Sequence, residues 1–247
     1  MPPRPVFFAS DVHMGAISRA QEEAFYGWLE HVGEAASRLV LNGDLFDFWF
    51  EYRGGGIPPG YDALLARLRA LVGSGLPVTL MGGNHDWWGG RHLREEVGLE
   101  FLQEPVVRDF AGRTTLLAHG DGLGEGDLGY RALKVVLRGR LTRWAFAQLG
   151  PELGDRVAGR VSATEGRWTA PTPEDRERAG ALERWAREEL EARPELDLVV
   201  LGHTHVPAVV EAAPGRWYVN TGDWVHHRSY MVLAEGEPPR LLEWEGA

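Results

Sequence analysis

The 247-residue chain contains no cysteine. Disulfides, thiolate-held zinc, iron–sulfur clusters and a cysteine nucleophile are therefore excluded, and any metal must be held by His, Asp, Glu, Asn or backbone oxygen. Lysine is almost missing as well: among 26 basic residues only Lys134 is lysine. No apolar run approaches the roughly 18 residues needed to cross a bilayer. The opening Met1-Pro2-Pro3-Arg4-Pro5 has no cleavable signal pattern, so a cytoplasmic location is expected. Positive charge is in deficit, with 36 acidic residues and a formal net charge of −10. Bulk electrostatics thus disfavour a nucleic-acid partner, and none is expected. What the chain does have is 44% hydrophobic residues, enough for a real core and too many for disorder.

Short apolar runs alternate with helical spacing in the first half. Val6 to Ser10 reads as a buried strand, and Phe25, Trp28, Leu29 and Val32 follow a helical period. Arg38 to Asn42 is a second strand. Leu64, Leu65, Leu68, Leu71 and Val72 mark a second helix, closed by Gly73 and Gly75. Pro77 to Met81 is a third strand. Val106 to Phe110 and Arg113 to Ala118 flank an Ala-Gly turn and read as a hairpin. Residues of about 126–193 look helical and more polar. Strands follow at Asp197–Leu201, Trp217–Asn220, Tyr230–Leu233 and Leu241–Trp244. The expectation is a single α/β (α+β) domain over 1–247, with antiparallel β at its end and a helical insertion at about 126–193.

Five groups of metal-compatible residues each follow a strand-like run: Asp11-Val12-His13, Gly43-Asp44, Gly83-Asn84-His85-Asp86, His119-Gly120-Asp121 and Gly202-His203-Thr204-His205. Any one of them has an ordinary explanation. A lone Asp-x-His arises often by chance, and Gly-Asp is usually a turn. Five in order, each at a strand end, are not expected by chance, because the carboxyl ends of strands in α/β sheets share one ligand-binding edge. The spacing of Asp11/His13 and His203/His205 predicts that each pair points one way from extended backbone and that the two pairs grip one ion. Carboxylate with imidazole suits Mn²⁺, Fe, Zn²⁺ or Co²⁺.

The series resembles the calcineurin-like metallophosphoesterase superfamily. That resemblance implies a four-layer α/β/β/α sandwich with two divalent metal ions, Mn²⁺ foremost. It assigns Asp11, His13, Asp44 and His205 to one ion and Asp44, Asn84, His119 and His203 to the other, with Asp44 bridging. It also implies in-line attack of a metal-activated water on phosphorus, with Asn84 neutralising transition-state oxygens. His85 is then the expected general acid or phosphate-stabilising cation; the alternative is support of Asn84. Asp86 is expected to orient His85.

Asp44-Leu45-Phe46-Asp47-Phe48-Trp49, and His119-Gly120-Asp121 followed by Asp127-Leu128-Gly129-Tyr130, are similar to the UDP-2,3-diacylglucosamine pyrophosphatases of lipid A synthesis. Such enzymes cut a diphosphate to UMP and a lipid monophosphate under a helical lid inserted after His-Gly-Asp. One branch of that family has Gly-Asn-Arg-Asp where this chain has Gly83-Asn84-His85-Asp86. The resemblance brings Asp127 and Tyr130 in as substrate contacts. Arg91, close in sequence to the ligands, is a further candidate for a phosphate.

Between Tyr130 and Pro151 there are five basic residues, Arg131, Lys134, Arg138, Arg140 and Arg143, and no acidic one. Leu133, Leu137, Leu141 and Trp144 form an apolar stripe beside them. A basic amphipathic helix at about 130–150 reads as a surface for anionic lipid, or as a helix packing its stripe on the core and showing arginines to water. Trp87 and Trp88 would wall the site, stack a base or pack in the core. Asn220 to Trp224 would shape the site's rim, and His226 and His227 are taken as surface residues. The expected activity is therefore hydrolysis of a lipid-linked nucleotide diphosphate, with peripheral contact at the inner face of the membrane. The alternative is a soluble phosphodiesterase or phosphatase acting on a nucleotide or phosphoprotein.

Overall fold

A computed structural model of the chain describes residues 3–124, 134–150, 154 and 172–246. Alternation within short strands builds two facing sheets. In the first, β1 (Val6–Ala9), β2 (Arg38–Asn42), β3 (Val78–Met81) and β4 (Glu100–Leu102) run parallel, and β10 (Ser229–Leu233) and β11 (Arg240–Glu243) extend it antiparallel beyond β1. In the second, the order is β5 (Val106–Phe110), β6 (Arg113–Leu117), β7 (Leu198–Leu201), β9 (Arg216–Asn220) and β8 (Ala208–Ala213).

Side chains at i and i+2 of a strand share a face, so each sheet sorts its apolar residues into two cores. Phe7, Ala9, Leu39, Leu41, Val78 and Leu80 meet α1 (Arg19–Ala35) and α2 (Asp62–Gly73) through Phe25, Trp28, Leu29, Leu64 and Leu68. Val6, Phe8, Val40 and Met81 face the other way and meet Leu117, Leu198, Val200 and Val219 between the sheets. The outer face of the second sheet, Leu116, Val199, Leu201 and Tyr218, is covered by Leu182, Ala186 and Leu190. Helices, sheet, sheet and helix are the four layers that the family resemblance implies.

Two expectations change. The late strands are antiparallel only in part: β7 pairs in parallel with both β6 and β9, whereas β8 with β9, and β10 with β1 and β11, are antiparallel, the last two strands lying in the first sheet. The stretch read as an insertion at about 126–193 also divides. Pro173–Ala192, here α4, is the fourth layer itself. It starts on a capping box between Thr172 and Asp175, with Pro173 in its first turn. Residues 134–150 stand against loops instead, and carry α3 (Arg140–Ala147). Strands β4 and β8, and a π-helical stretch His92–Val97, escape the sequence pattern. The first two are short or half-exposed on both faces, which leaves little alternation to read.

Candidate metal centre

All five motif groups lie just beyond the carboxyl ends of β1, β2, β3, β6 and β7. The parallel pairing of β1 with β2, of β2 with β3 and of β6 with β7 brings those ends to one edge of the sandwich. Asp11, His13, Asp44 and His119 are buried, each no more than 2% exposed.

The backbone there departs from the extended form that the i, i+2 spacing predicts. Asp11, His13, Asp44, His203 and His205 have φ of 53°, 51°, 51°, 71° and 58°. Left-handed backbone is uncommon for residues other than glycine, and its concentration at these five positions marks strain held by the surrounding structure. Gly43 and Gly83 make the close approach feasible: a Cβ at Gly43 would meet the His119 ring, and one at Gly83 would meet the Asp44 carboxylate.

The turns distribute the side chains into two adjoining clusters. Asp11, His13 and His205 bring ligand-capable atoms within 4.8 Å of one another, and so do Asp44, His119 and His203. The two histidines of Gly-His-Thr-His thus separate, one to each cluster, rather than gripping one ion together. His13 Nε2 faces His205 Nε2 at 3.3 Å, and His205 Nε2 lies 3.4 Å from Asp11 Oδ1. In the second cluster His119 Nε2 lies 3.2 Å from Asp44 Oδ2 and 3.3 Å from Asn84 Oδ1. Asp44, His13 and His85 form a third grouping of the same kind, which places Asp44 between the clusters.

Several partners of these side chains carry no obvious sequence signal. His119 Nδ1 pairs with the carbonyl of Asn42 at 2.8 Å, which fixes Nε2 as the inward nitrogen. Asp223 Oδ2 sits 3.3 Å from His205 Nδ1 and does the same for His205. Asp11 accepts the His203 N–H and the Ser10 hydroxyl, and Ser10 Oγ pairs with Thr221 Oγ1 at 2.6 Å. Asn220 Nδ2 donates to the Gly202 carbonyl at 2.8 Å. Asn220, Thr221 and Asp223 therefore stand buried behind the ligand loops, not on the rim. His227 is not a plain surface residue either, since its Nδ1 lies 3.4 Å from Asp223 Oδ1.

The role of orienting His85 falls to Asp47. His85 Nδ1 pairs with the Asp47 carbonyl at 2.5 Å, with the Asp47 carboxylate at 3.9 Å. Asp86 is occupied elsewhere: its carboxylate accepts backbone N–H groups of Gly83 at 2.7 Å, Leu45 at 2.8 Å and Asp44 at 3.3 Å. It ties the loop after β2 to the loop after β3, and so holds Asp44 and Asn84 side by side.

Buried charges crowd against one another in the site. Burial would lower the pKa of His119, but the charge of Asp44 and its hydrogen bond prevail and raise it to about 10. His203 is lowered to about 3 by burial and by the neighbouring His119. Asp86 is pushed up to about 7 by burial and by the charge of Asp44. Buried carboxylates and imidazoles crowded together without thiols fit hard or borderline divalent cations. Such cations compensate the acidic charge that the fold confines here.

Trp87 is packed: its Nε1 donates to the Gln103 carbonyl at 2.9 Å, and the Arg138 guanidinium lies 4.6 Å over its ring. That face is given to a cation, not to a base. Trp88 Nε1 reaches the Leu137 carbonyl at 3.4 Å. Arg91 is exposed and pairs with Glu95 at 2.6 Å, four residues on along the π-helical stretch. Asp127 and Tyr130 lie outside the described residues.

Residues 134–150 invert the ordinary amphipathic arrangement. Lys134 and Arg138 turn inward to Asp121, while Val135, Val136, Leu141 and Trp144 are 74%, 60%, 77% and 59% exposed. Phe146 holds the segment down, 5.7 Å from Phe48, 4.9 Å from Phe50 and 6.1 Å from Tyr52. Among the described residues, no helix is long and apolar enough to cross a membrane.

Known proteins resemble this chain over most of its length. The calcineurin-like phosphoesterase family matches residues 4–207. A protein of Porphyromonas gingivalis named UDP-2,3-diacylglucosamine hydrolase is 27% identical over 248 residues, covering 92% of this chain and 93% of its own. One of the same name from Xanthomonas axonopodis pv. citri is 32% identical over 240 residues, covering 93% and 95%. Among solved structures, vacuolar protein sorting 29 of Cryptosporidium parvum is similar at a TM-score of 0.48 and 14% identity, over 98% of this chain and 97% of its own.

Proposed function

Because the chain belongs to the calcineurin-like phosphoesterase family, a family of metal-dependent hydrolases, we propose that it hydrolyses the diphosphate of a UDP-2,3-diacylglucosamine-type substrate to UMP and a lipid monophosphate. The observation that carries this reading is the conjunction of paired ligand clusters with an outward-facing apolar segment beside them. The relatives' printed names support the same substrate.

Asp11, His13, Asp44 and His205 would hold one divalent ion, and Asp44, Asn84, His119 and His203 the other, with Mn²⁺ the first to test. Two such ions supply Lewis-acid charge and a water of lowered pKa. The remaining work belongs to this chain's own groups. The Asn84 side chain, held beside His119, serves the phosphoryl oxygens. His85 has Nδ1 committed to Asp47, so Nε2 is the nitrogen that delivers a proton to the leaving oxygen. Asp127 and Tyr130 are assigned to the sugar–diphosphate. Arg91, paired with Glu95, is proposed as an outer phosphate contact that exchanges partners.

The test is UMP release by the Mn²⁺-loaded protein from UDP-2,3-diacylglucosamine beside UDP-N-acetylglucosamine. The acylated substrate is expected to be cut with a kcat/KM at least about 100-fold higher, as burying about four methylenes would provide. Cleavage of neither, with a bis-aryl phosphodiester still cut, would overturn the substrate and leave the metal centre standing.

We also propose that Leu141 and Trp144, flanked by exposed Arg140 and Arg143, rest on an anionic bilayer at the inner face of the membrane. Burying a Leu or Trp side chain yields about 1.5–3 kcal/mol. The double change Leu141→Ser/Trp144→Ser is therefore expected to weaken sedimentation with phosphatidylglycerol-containing vesicles by about 100-fold. Equal sedimentation of the variant and the unaltered chain would place the membrane contact elsewhere.

A further inference from the structure

One buried ion-pair cluster lies outside the ligand set. Asp121 follows His119 by two residues and is 6% exposed. Its Oδ2 receives Lys134 Nζ at 2.6 Å and Arg138 Nη2 at 2.9 Å, and Lys134 also donates to the Asp121 carbonyl at 2.8 Å. Lys134 and Arg138 are four residues apart, so both project from one side of the helical turn 134–138. The same arginine lies over Trp87, with Nη2 3.5 Å from the Gly83 carbonyl. The same turn accepts the Trp88 indole N–H at Leu137. A single helical turn is thereby fastened to two of the ligand loops, the one after β3 and the one after β6.

Exposed pairs such as Arg91–Glu95 contribute little. A buried pair differs, because undocking one partner leaves an uncompensated charge in a poorly solvated place. Asp121 therefore biases residues 134–147 strongly towards the docked position.

We propose that Asp121 is a positioning residue that pins residues 134–147 against the metal-ligand loops through Lys134 and Arg138. It thereby sets how tightly the site holds a substrate reaching beneath them. The substrate half of this rests on the function proposed above; the pinning half does not. Asp121 touches neither reacting phosphorus nor ion in this scheme, and acts through the segment it holds.

The test uses the full-length, Mn²⁺-loaded protein as Arg138→Gln, Asp121→Asn and the conservative Arg138→Lys. Amide hydrogen exchange over 134–147 is expected to speed up by about tenfold or more in the first two, with the strands unchanged. Metal content should stay at the level of the unaltered chain. KM for UDP-2,3-diacylglucosamine should rise by about tenfold with kcat within about threefold, the pattern of lost binding without lost chemistry. Arg138→Lys should recover most of both effects. Unchanged exchange overturns the pin. Faster exchange with an unchanged KM, or a fall in kcat alone, overturns its hold on substrate. If Asp121→Asn fails to fold, Arg138→Gln, made on a part-exposed side chain, decides alone. If the unaltered chain does not cut the acylated substrate, the proposed function has failed, and the exchange measurement still upholds or overturns the pin.

Discussion

His85→Ala is expected to keep its metal and lose about 10²–10⁴-fold in turnover on the proposed diphosphate substrate, the range that a positioned general acid contributes. Metal retention follows from where His85 is attached. Its backbone N–H donates to Asp44 Oδ1 at 2.9 Å, and the loop is held by Asp86 through Gly83, Leu45 and Asp44. Both survive removal of the imidazole. What disappears is the ring that Asp47 holds at Nδ1. Leaving groups that depart without a proton should reveal the role: with a 4-nitrophenyl ester the loss should shrink to about tenfold or less. Metal analysis with kcat on both substrates checks this. Because His85 also sits with His13 and Asp44 in a ligand-capable grouping, a variant that lost metal would make it a ligand and not an acid.

The same residue shows what the sequence discloses and what it withholds. The chemistry of the site is legible because its residue types are rare together: Asp, His and Asn recur after five apolar runs, and parallel strands carry those runs to one edge. The layers are legible as well, since Phe7 and Phe8, or Leu39 and Val40, alternate between cores. The left-handed backbone at Asp11, His13, Asp44, His203 and His205 is not legible. It comes from loops packed against one another, and no local pattern in those residues asks for it. The i, i+2 rule therefore fails at His203 and His205, which diverge. Partners distant in sequence are equally silent. Asp223 is paired with His205, and Asp121 with Lys134 and Arg138, only because β9 and residues 134–138 arrive beside the ligand loops. Asp86 misleads for the opposite reason: adjacency to His85 suggests a side-chain partner, while its carboxylate faces backbone across the loop. The basic helix misleads by composition, since a count of cations cannot say which of them turn inward.

Asp44→Asn should be the most damaging single substitution, and the metal-free protein should report why. Asp44 lies among His13, His85, His119 and His203, so in the proposed ligand set its loss would remove a ligand from both ions at once. Metal content should fall to one ion per chain or fewer. Several kcal/mol of transition-state stabilisation would go with it, a loss of more than about 10³-fold in turnover. In the metal-free chain, Asp44 is what overrides burial at His119 and raises that pKa from 6.5 to about 10. With asparagine there, burial remains and most of the opposing charge is gone, so the His119 titration seen by NMR should move down steeply. The sign for stability follows. A histidine raised in the folded state contributes fully below its unfolded pKa, near 6.5, and the contribution is lost as pH rises through about 10. The carboxylate side of the pair, lowered in the fold, contributes above about 3.8 and fades in acid. The stability gap between the two metal-free proteins should thus be widest between about pH 4 and 6.5 and close towards pH 10. Denaturant titrations across that range check it. A gap that widened with alkali would mean that His119 is neutral in the fold, and that Asp44 holds something other than its proton.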